Sequence, residues 1–158
     1  MICYVDGDIL SGLDGTHDIF ICQQVNCKGV MGAGLAKQIR AKWPVVFTKY
    51  KYACDECTPM GLFANYQVVN VGEKTYVANI FGQLNYGTDK RHTSYYAIST
   101  VFYNMFANCL ETGNHNAIFR IPYGFGCGLG GGDWGVVRSI IEDAANQYNV
   151  NVEIWRKT

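Results

Sequence analysis

The feature that most constrains the fold is a strand, a glycine loop and a helix in direct succession. The apolar run 18–22 is typical of a buried strand, and residues 35–43 have the pattern of a helix that ends before Pro44. The loop between them contains Gly29, Gly32 and Gly34. Glycines permit close approach of a ligand, and the unpaired amides that open a helix favour an anion. The unit therefore predicts a phosphate site; glycines that serve only a tight connection are the alternative.

A second unit of the same kind lies in the last third of the chain. Residues 118–122 predict a strand, the glycine-rich loop 123–132 follows, and Asp133 is placed to cap a helix that begins at Trp134. Two such loops could hold a diphosphate between two sets of backbone amides. The first loop matches neither the dinucleotide fingerprint nor the P-loop. The prediction of a ligand site therefore rests on the pairing of the two loops and not on a known nucleotide-binding motif.

Length and charge limit the classes of function. The 158 residues predict one domain over 1–158, and 49% hydrophobic residues suffice for a substantial core. Lys+Arg and Asp+Glu are both 13, so net charge predicts neither a nucleic-acid footprint nor a membrane partner. The sequence contains no apolar segment of membrane-spanning length and no signal-peptide pattern at its start. We expect a cytoplasmic monomer.

The cysteines predict a reducing environment rather than a metal site. There are seven, and Cys3, Cys22 and Cys109 look like small core residues. Cys54 and Cys57 form a C-x-x-C pair, but the chain has no second pair and no histidine at finger spacing. Because structural zinc needs four ligands, we predict no metal and no cofactor.

The order of the remaining elements predicts an α/β fold. Two β-rich runs in the middle of the chain predict a hairpin, and strands alternate with helices on either side of it. This order predicts three α/β/α layers around a mixed central sheet of about six strands. The further strands are expected at 2–5, 63–69, 75–81 and 150–155, and the further helices at 45–54 and 95–110.

Polar and glycine-rich segments follow the predicted strands. Asp8, the Asn26 loop, the Gln83 loop and the loop 124–132 each begin where a strand ends, so we expect them at one rim of the sheet. By itself Asp8 could accept a hydrogen bond from a base or could cap its own turn. The basic residues 90–92 could contact a phosphate or simply be solvated.

Three of these segments carry a resemblance to a known family. Residues 7–9, residues 25–34 with their helix, and residues 126–129 before a helix resemble the macro domains, which are ADP-ribose-binding modules, over nearly the whole chain. The short chain and the Cys-x-Gly-Val-Met-Gly loop are most similar to the subgroup of the yeast ADP-ribose-1″-phosphate phosphatase and the terminal ADP-ribose protein glycohydrolase. Residues 79–83 and 130–134 look like bacterial and phage members.

The resemblance implies binding roles for the matched positions. Asp8 and Ile9 would contact adenine, and Asn26 would hold the distal ribose. Backbone close to the diphosphate would come from the two loops. These residues are Gly32, Ala33 and Gly34 in the first loop and Gly124, Phe125, Gly126, Cys127, Gly128 and Leu129 in the second.

The resemblance is weaker for catalysis. The glycohydrolase type has a lysine where this chain has Gly82 or Gln83 and an aspartate where it has Gly130, and the phosphatase type has a histidine where it has Gln23. The acid–base candidates that remain are Asp133 and His92, with Asn26 orienting the substrate. A helix cap explains Asp133 equally well.

Three functions follow from the resemblance. The first is hydrolysis of a group from the distal ribose, with ADP-ribose-1″-phosphate converted to ADP-ribose. The second is a non-catalytic reader or sequestering binder of ADP-ribose or a related nucleotide signal. The third is removal of ADP-ribose from modified proteins, which makes an ADP-ribosylated protein a second partner.

Overall fold

The computed structural model describes residues 1–158 and contains six strands and five helices. The strands are β1 (Ile2–Asp6), β2 (Ile19–Val25), β3 (Tyr66–Gly72), β4 (Thr75–Phe81), β5 (Ile118–Pro122) and β6 (Asn151–Arg156). The helices are α1 (Gly34–Lys42), α2 (Pro44–Glu56), α3 (Pro59–Leu62), α4 (Tyr95–Glu111) and α5 (Trp134–Tyr148). None of the helices combines the length and apolar character that a membrane span requires.

The strands form one mixed sheet, which confirms the predicted fold class. Their order is β1-β6-β5-β2-β4-β3, and every neighbouring pair is parallel except β3 with β4. Five strands therefore end at the same edge of the sheet, which we call the rim. The loops that follow β1, β2, β4 and β5 all begin there, as the sequence predicted.

The sheet divides at the rim between its two central strands. β2 pairs with β4 along all seven of its residues, from Ile19 to Val25. It pairs with β5 only over Ile19–Ile21, so the two strands separate before they reach the rim. Because the glycine loops follow β2 and β5, they lie on opposite sides of this division. Open α/β sheets bind ligands at such points.

Helices cover both faces of the sheet and create two cores. One core packs α4 and α5 on the sheet and includes Phe102, Phe106 and Phe119. The other packs α1 and α2 on the opposite face and includes Ile39 and Tyr50. The three-layer arrangement is thus as predicted.

Several element boundaries differ from the expectations. α2 begins at Pro44, because proline is favoured at the first position of a helix, where its missing N–H costs nothing. β3 begins at Tyr66 rather than at 63, because Thr58 caps the short helix α3 just before it. β2 continues to Val25, because pairing with β4 retains two glutamines that the apolar pattern had left in the loop.

Candidate functional site

Three adjoining cavities form a groove along the rim, which we call the rim groove. The Asp8 cavity has a volume of about 560 Å³, the central cavity about 380 Å³ and the Asn26 cavity about 410 Å³. Gly34, Leu35 and Pro122 line both the Asp8 cavity and the central cavity. Gln24, Gln83 and Leu129 line both the central cavity and the Asn26 cavity.

The first glycine loop delivers an uncapped helix end to the groove. Ala33 occupies the N-cap position of α1 and no side chain accepts a hydrogen bond from the first turn. The N–H groups that open a helix have no partner inside it, so those of α1 remain available. The backbone of Gly32 is outside the left-handed region, and a Cβ there would meet nothing within 4 Å. Neither strain nor crowding within the chain therefore requires glycine at this position.

The second glycine loop is held by its own backbone. Within it, the N–H of Cys127 donates to Gly124 O at 2.8 Å and that of Gly132 donates to Gly126 O at 2.9 Å. The N–H groups of Gly128, Leu129 and Gly130 donate to no other backbone group. A rigid loop thus leaves some donors free next to the central cavity.

The Asp8 cavity combines one carboxylate with two aromatic residues. Asp8 Oδ1 accepts from Leu10 N at 2.9 Å, which leaves the other carboxylate oxygen free. Ile9 is buried in the cavity wall, and Tyr123, Trp155 and Lys157 are among the other lining residues. The carboxylate caps its turn and still has an acceptor for a ligand.

A buried cation holds the backbone around Asp8. The Arg120 guanidinium is only 6% exposed and donates to Ile9 O at 2.9 Å and to Ser11 O. It lies 4.4 Å from the ring centroid of Trp155, and burial lowers its pKa from the ordinary arginine value. Arg120 therefore connects β5 to the loop that carries the predicted adenine contacts. An arginine inside a predicted buried strand was the sequence signal for it.

Asn26 lines its cavity, but its side-chain amide is hydrogen-bonded to the backbone of the first glycine loop. Its Oδ1 accepts from Lys28 N and from the Tyr50 hydroxyl, both at 2.9 Å, and its Nδ2 donates to Val30 O at 2.8 Å. The side chain is 7% exposed, and Tyr50 is fully buried. Asn26 thus shapes the first loop and presents at most one remaining N–H to a ligand.

Comparison with curated proteins finds partial similarity to two enzymes. No protein-family model matches the chain. An uncharacterized 17.5 kDa protein of Enterobacteria phage T4 is 23% identical over 98% of this chain and 97% of its own length. An ADP-ribose 1″-phosphate phosphatase of Scheffersomyces stipitis is 34% identical over 44% of this chain and 42% of its own. A DNA ADP-ribosyl glycohydrolase of Mycobacterium tuberculosis is 41% identical, over 34% of this chain and 14% of its own.

Comparison with solved structures shows which fold the chain shares. A protein of unknown function from Bacteroides thetaiotaomicron matches with a TM-score of 0.85 and 26% identity, over 99% of this chain and 98% of that one. The macrodomain of Mycobacterium tuberculosis DarG matches with a TM-score of 0.78 and 26% identity, over 98% and 97%. The chain has the macrodomain fold. A macrodomain from Streptomyces coelicolor has the same TM-score at 25% identity, over 98% of both chains.

The fold brings most of the predicted ligand residues to the groove. All of them except Cys127 line one of the three cavities. The Cys127 thiol donates to Phe125 O at 3.2 Å, and burial raises its pKa, so it supplies no thiolate at neutral pH. The part that each of the lining residues plays in binding stays a prediction.

Both predicted acid–base residues lie outside the groove. His92 has 7% of its side chain exposed, and its Nε2 is 2.8 Å from Asp89 Oδ1. This hydrogen bond holds the pKa of Asp89 below its usual range. Asp133 caps α5, with Val136 N donating to its Oδ1 at 3.3 Å. Neither His92 nor Asp133 lines any of the three cavities, so a catalytic role for them stays a prediction.

The Asn26 cavity is nearly free of titratable groups. Among its lining residues Tyr86 alone carries one. The structure also contains no group of three or more His, Cys, Asp or Glu side chains that could hold a metal ion. Val30, Tyr86 and Leu129 stand at the cavity as exposed side chains. The distal end of the groove is therefore lined by amides, backbone and apolar surface.

Gln24 and Trp155 are among the residues that line the groove without having been predicted from the sequence. Gln24 lies between the central and Asn26 cavities, and Trp155 lies in the Asp8 cavity. A polar pair, Gln23-Gln24, between an apolar run and the glycine loop was the available signal for Gln24. Nothing local distinguishes Trp155 from a core residue of a terminal strand.

Proposed function

We propose that this macrodomain binds ADP-ribose, or a derivative with a group on the distal ribose, in the rim groove. One observation carries the proposal: three joined cavities stand in the order of the three parts of such a ligand. The Asp8 cavity has a carboxylate and aromatic walls, the central cavity lies between amide-bearing loops, and the Asn26 cavity is uncharged.

The Asp8 cavity suits adenine. The free carboxylate oxygen of Asp8 would accept from the exocyclic amine, and hydrogen bonds to charged groups contribute about 1.5–3 kcal/mol. Tyr123 and Trp155 offer faces against which a planar base can pack. Arg120 keeps this loop in place through the carbonyl of Ile9.

The central cavity suits a diphosphate. The uncapped N-terminus of α1 directs free N–H groups and the positive end of its dipole into it. Gly128, which lines this cavity, supports the assignment, because a Cβ there would meet nothing of the protein within 4 Å. Close approach of a ligand explains glycine where the chain itself does not.

The Asn26 cavity would hold the distal ribose and any group attached to it. Hydrolysis there would consume water and release the attached group, with no carboxylate or imidazole in the lining to protonate it. Phosphate is a suitable leaving group, because a phosphate monoester is already ionised at neutral pH and its phosphate departs as a stable anion. We therefore propose hydrolysis of ADP-ribose-1″-phosphate to ADP-ribose, supported by the partial similarity to the S. stipitis phosphatase.

The same uncharged lining also favours a reader without turnover. General acid–base catalysis typically contributes about 10²- to 10⁴-fold in rate, and the Asn26 cavity offers only Tyr86 for it. Removal of ADP-ribose from proteins is a third candidate, since the cavity is open at Val30 and Leu129.

Two assays on the wild-type chain test these proposals. Calorimetry with ADP-ribose should give micromolar-range affinity, about −7 to −8 kcal/mol. No heat and no thermal shift at millimolar ligand would refute binding in the groove.

Incubation with ADP-ribose-1″-phosphate and with an ADP-ribosylated protein then tests the reaction, with released phosphate and released ADP-ribose measured separately. We expect phosphate from the first substrate. Release of ADP-ribose from the second would favour the third candidate, and neither product would establish a reader.

A further inference from the structure

Gln24 connects segments that line both the central and the distal parts of the groove. It is the penultimate residue of β2, and its side chain lines the central cavity and the Asn26 cavity. Its Nε2 donates to Gln83 Oε1 at 2.7 Å and to Thr93 Oγ1 at 2.8 Å. A single amide thus links β2, the segment after β4, and the residue before the cap of α4.

Thr93 extends this connection to the second glycine loop. Its hydroxyl donates to Gly126 O at 2.6 Å, and its backbone N–H donates to Gly130 O at 3.1 Å. A hydroxyl has one hydrogen, and Thr93 uses it on Gly126, so it must accept from Gln24. The hydrogen bonds themselves therefore establish that the nitrogen of Gln24, and not its oxygen, faces Thr93.

Glycines surround the amide of Gln24 on the other sides. A Cβ at Gly82 would overlap Gln24 Oε1, and one at Gly126 would lie 3.1 Å from the same oxygen. A Cβ at Gly130 would overlap Thr93 Oγ1 and lie 3.1 Å from Gln24 Nε2. The backbones of Gly82 and Gly130 are outside the left-handed region, so conformation does not demand glycine there. Glycine is required at these two positions because the side chains of Gln24 and Thr93 occupy the space that a Cβ would need.

We propose that Gln24 is a positioning residue that sets the distance between the second glycine loop and the Gln83 segment. This role rests on the proposed function, because that distance determines the fit to a diphosphate and a distal ribose. Gln24 does not line the Asp8 cavity. Its loss should therefore weaken the part of the ligand beyond the adenosine and leave the adenosine contacts intact.

Ligand dissection tests the positioning role. In Gln24→Ala the affinity for ADP-ribose should fall at least about tenfold, while that for adenosine changes less than about twofold. Gln24→Met, which keeps the volume and removes the donor, should show the same split if the alanine variant folds poorly. An equal change for both ligands, or no change for either, would overturn the proposal.

Gln67→Ala is the matched control. Its amide is also hydrogen-bonded twice, to Asn79 and to Lys49 O, both at 3.1 Å, but it lies on β3 and lines no part of the groove. The ratio of the two affinities should stay at its wild-type value. If Gln67→Ala shows the same difference between the two ligands, that difference reports a general destabilisation of the protein. This result would overturn the assignment to Gln24.

A stability cycle tests the packing without any ligand. Gly82→Ala should lower the denaturation midpoint, and most of this loss should disappear in a Gln24→Ala background, where the added Cβ has room. Gly72→Ala, whose Cβ would contact only Thr75 Cβ at 3.9 Å, should show no dependence on Gln24. Equal losses for Gly82→Ala in both backgrounds would refute the packing role. A wild-type chain that binds neither ligand would refute the proposed function. In that case the stability cycle alone would test whether Gln24 positions the two segments.

Discussion

The two glycine loops have the same order of elements but are built in opposite ways. The helix after the first loop, α1, has Ala33 at its N-cap and no side-chain acceptor. The helix after the second, α5, is capped by Asp133, whose own N–H donates to the Tyr95 hydroxyl at 2.9 Å. One loop thus ends in free helix amides, whereas the other ends in a closed cap.

This difference indicates separate tasks for the two sides of the groove. An uncapped helix end lacks about 0.5–2 kcal/mol that a capping side chain would supply, and a ligand anion can take the place of the cap. The second loop is fixed by its own hydrogen bonds and by Thr93, so it acts as a rigid wall. We infer that α1 provides most of the electrostatic attraction and the second loop provides the shape.

The largest effect is expected from Gly32→Glu in the first loop. Gly32 lines the Asn26 cavity next to Ala33, which lines both that cavity and the central one, so a glutamate side chain would fill space needed by the distal ribose and repel the adjoining diphosphate. Affinity for ADP-ribose should therefore fall beyond detection while the fold persists. Calorimetry gives the affinity, and thermal unfolding checks the fold. Gly32→Gln, equal in size but neutral, separates charge from bulk and should bind more tightly than the glutamate variant. A folded glutamate variant that loses less than about tenfold (~1.4 kcal/mol) would show that Gly32 does not face the phosphates.

A smaller loss of affinity, accompanied by a gain of stability, is expected from Ala33→Asp. The new carboxylate should cap α1 and stabilise the protein by about 0.5–2 kcal/mol, measured by denaturant unfolding. It should also lower affinity for ADP-ribose about tenfold or more, because it uses the N–H groups and adds like charge. Ala33→Asn supplies the cap without the charge and should lose less affinity. Gain of stability with unchanged affinity would contradict the proposal that the open end of α1 binds the ligand.

The smallest effect on binding is expected from Asp133 in the second unit. Asp133→Ala should cost about 1 kcal/mol of stability through the lost cap, and Asp133→Asn should restore it, with ADP-ribose affinity unchanged in both. Because Asp133 lies outside the groove, we expect the asparagine variant to keep any turnover of the wild type. A drop of about 10²- to 10⁴-fold in its rate would instead establish Asp133 as the general acid or base.

The sequence by itself determined the elements and the rim. Apolar runs, cap residues and glycine clusters are local signals, and each depends on a few neighbouring residues. Parallel strands then place the residues that follow them at one edge, so the order of elements along the chain suffices to assign Asp8, Asn26 and both glycine loops to one rim. The three-layer fold followed from the same order of strands and helices.

The tertiary structure alone decided which of these residues face the groove. Asp133 and His92 follow strands as the others do, but their side chains are engaged by α5 and by Asp89, and neither residue lines a cavity. The junction made by Gln24 and Thr93 joins residues 69 positions apart in the chain. Such contacts depend on side-chain direction and on the separation of β2 from β5, and neither is encoded in a local pattern of residues.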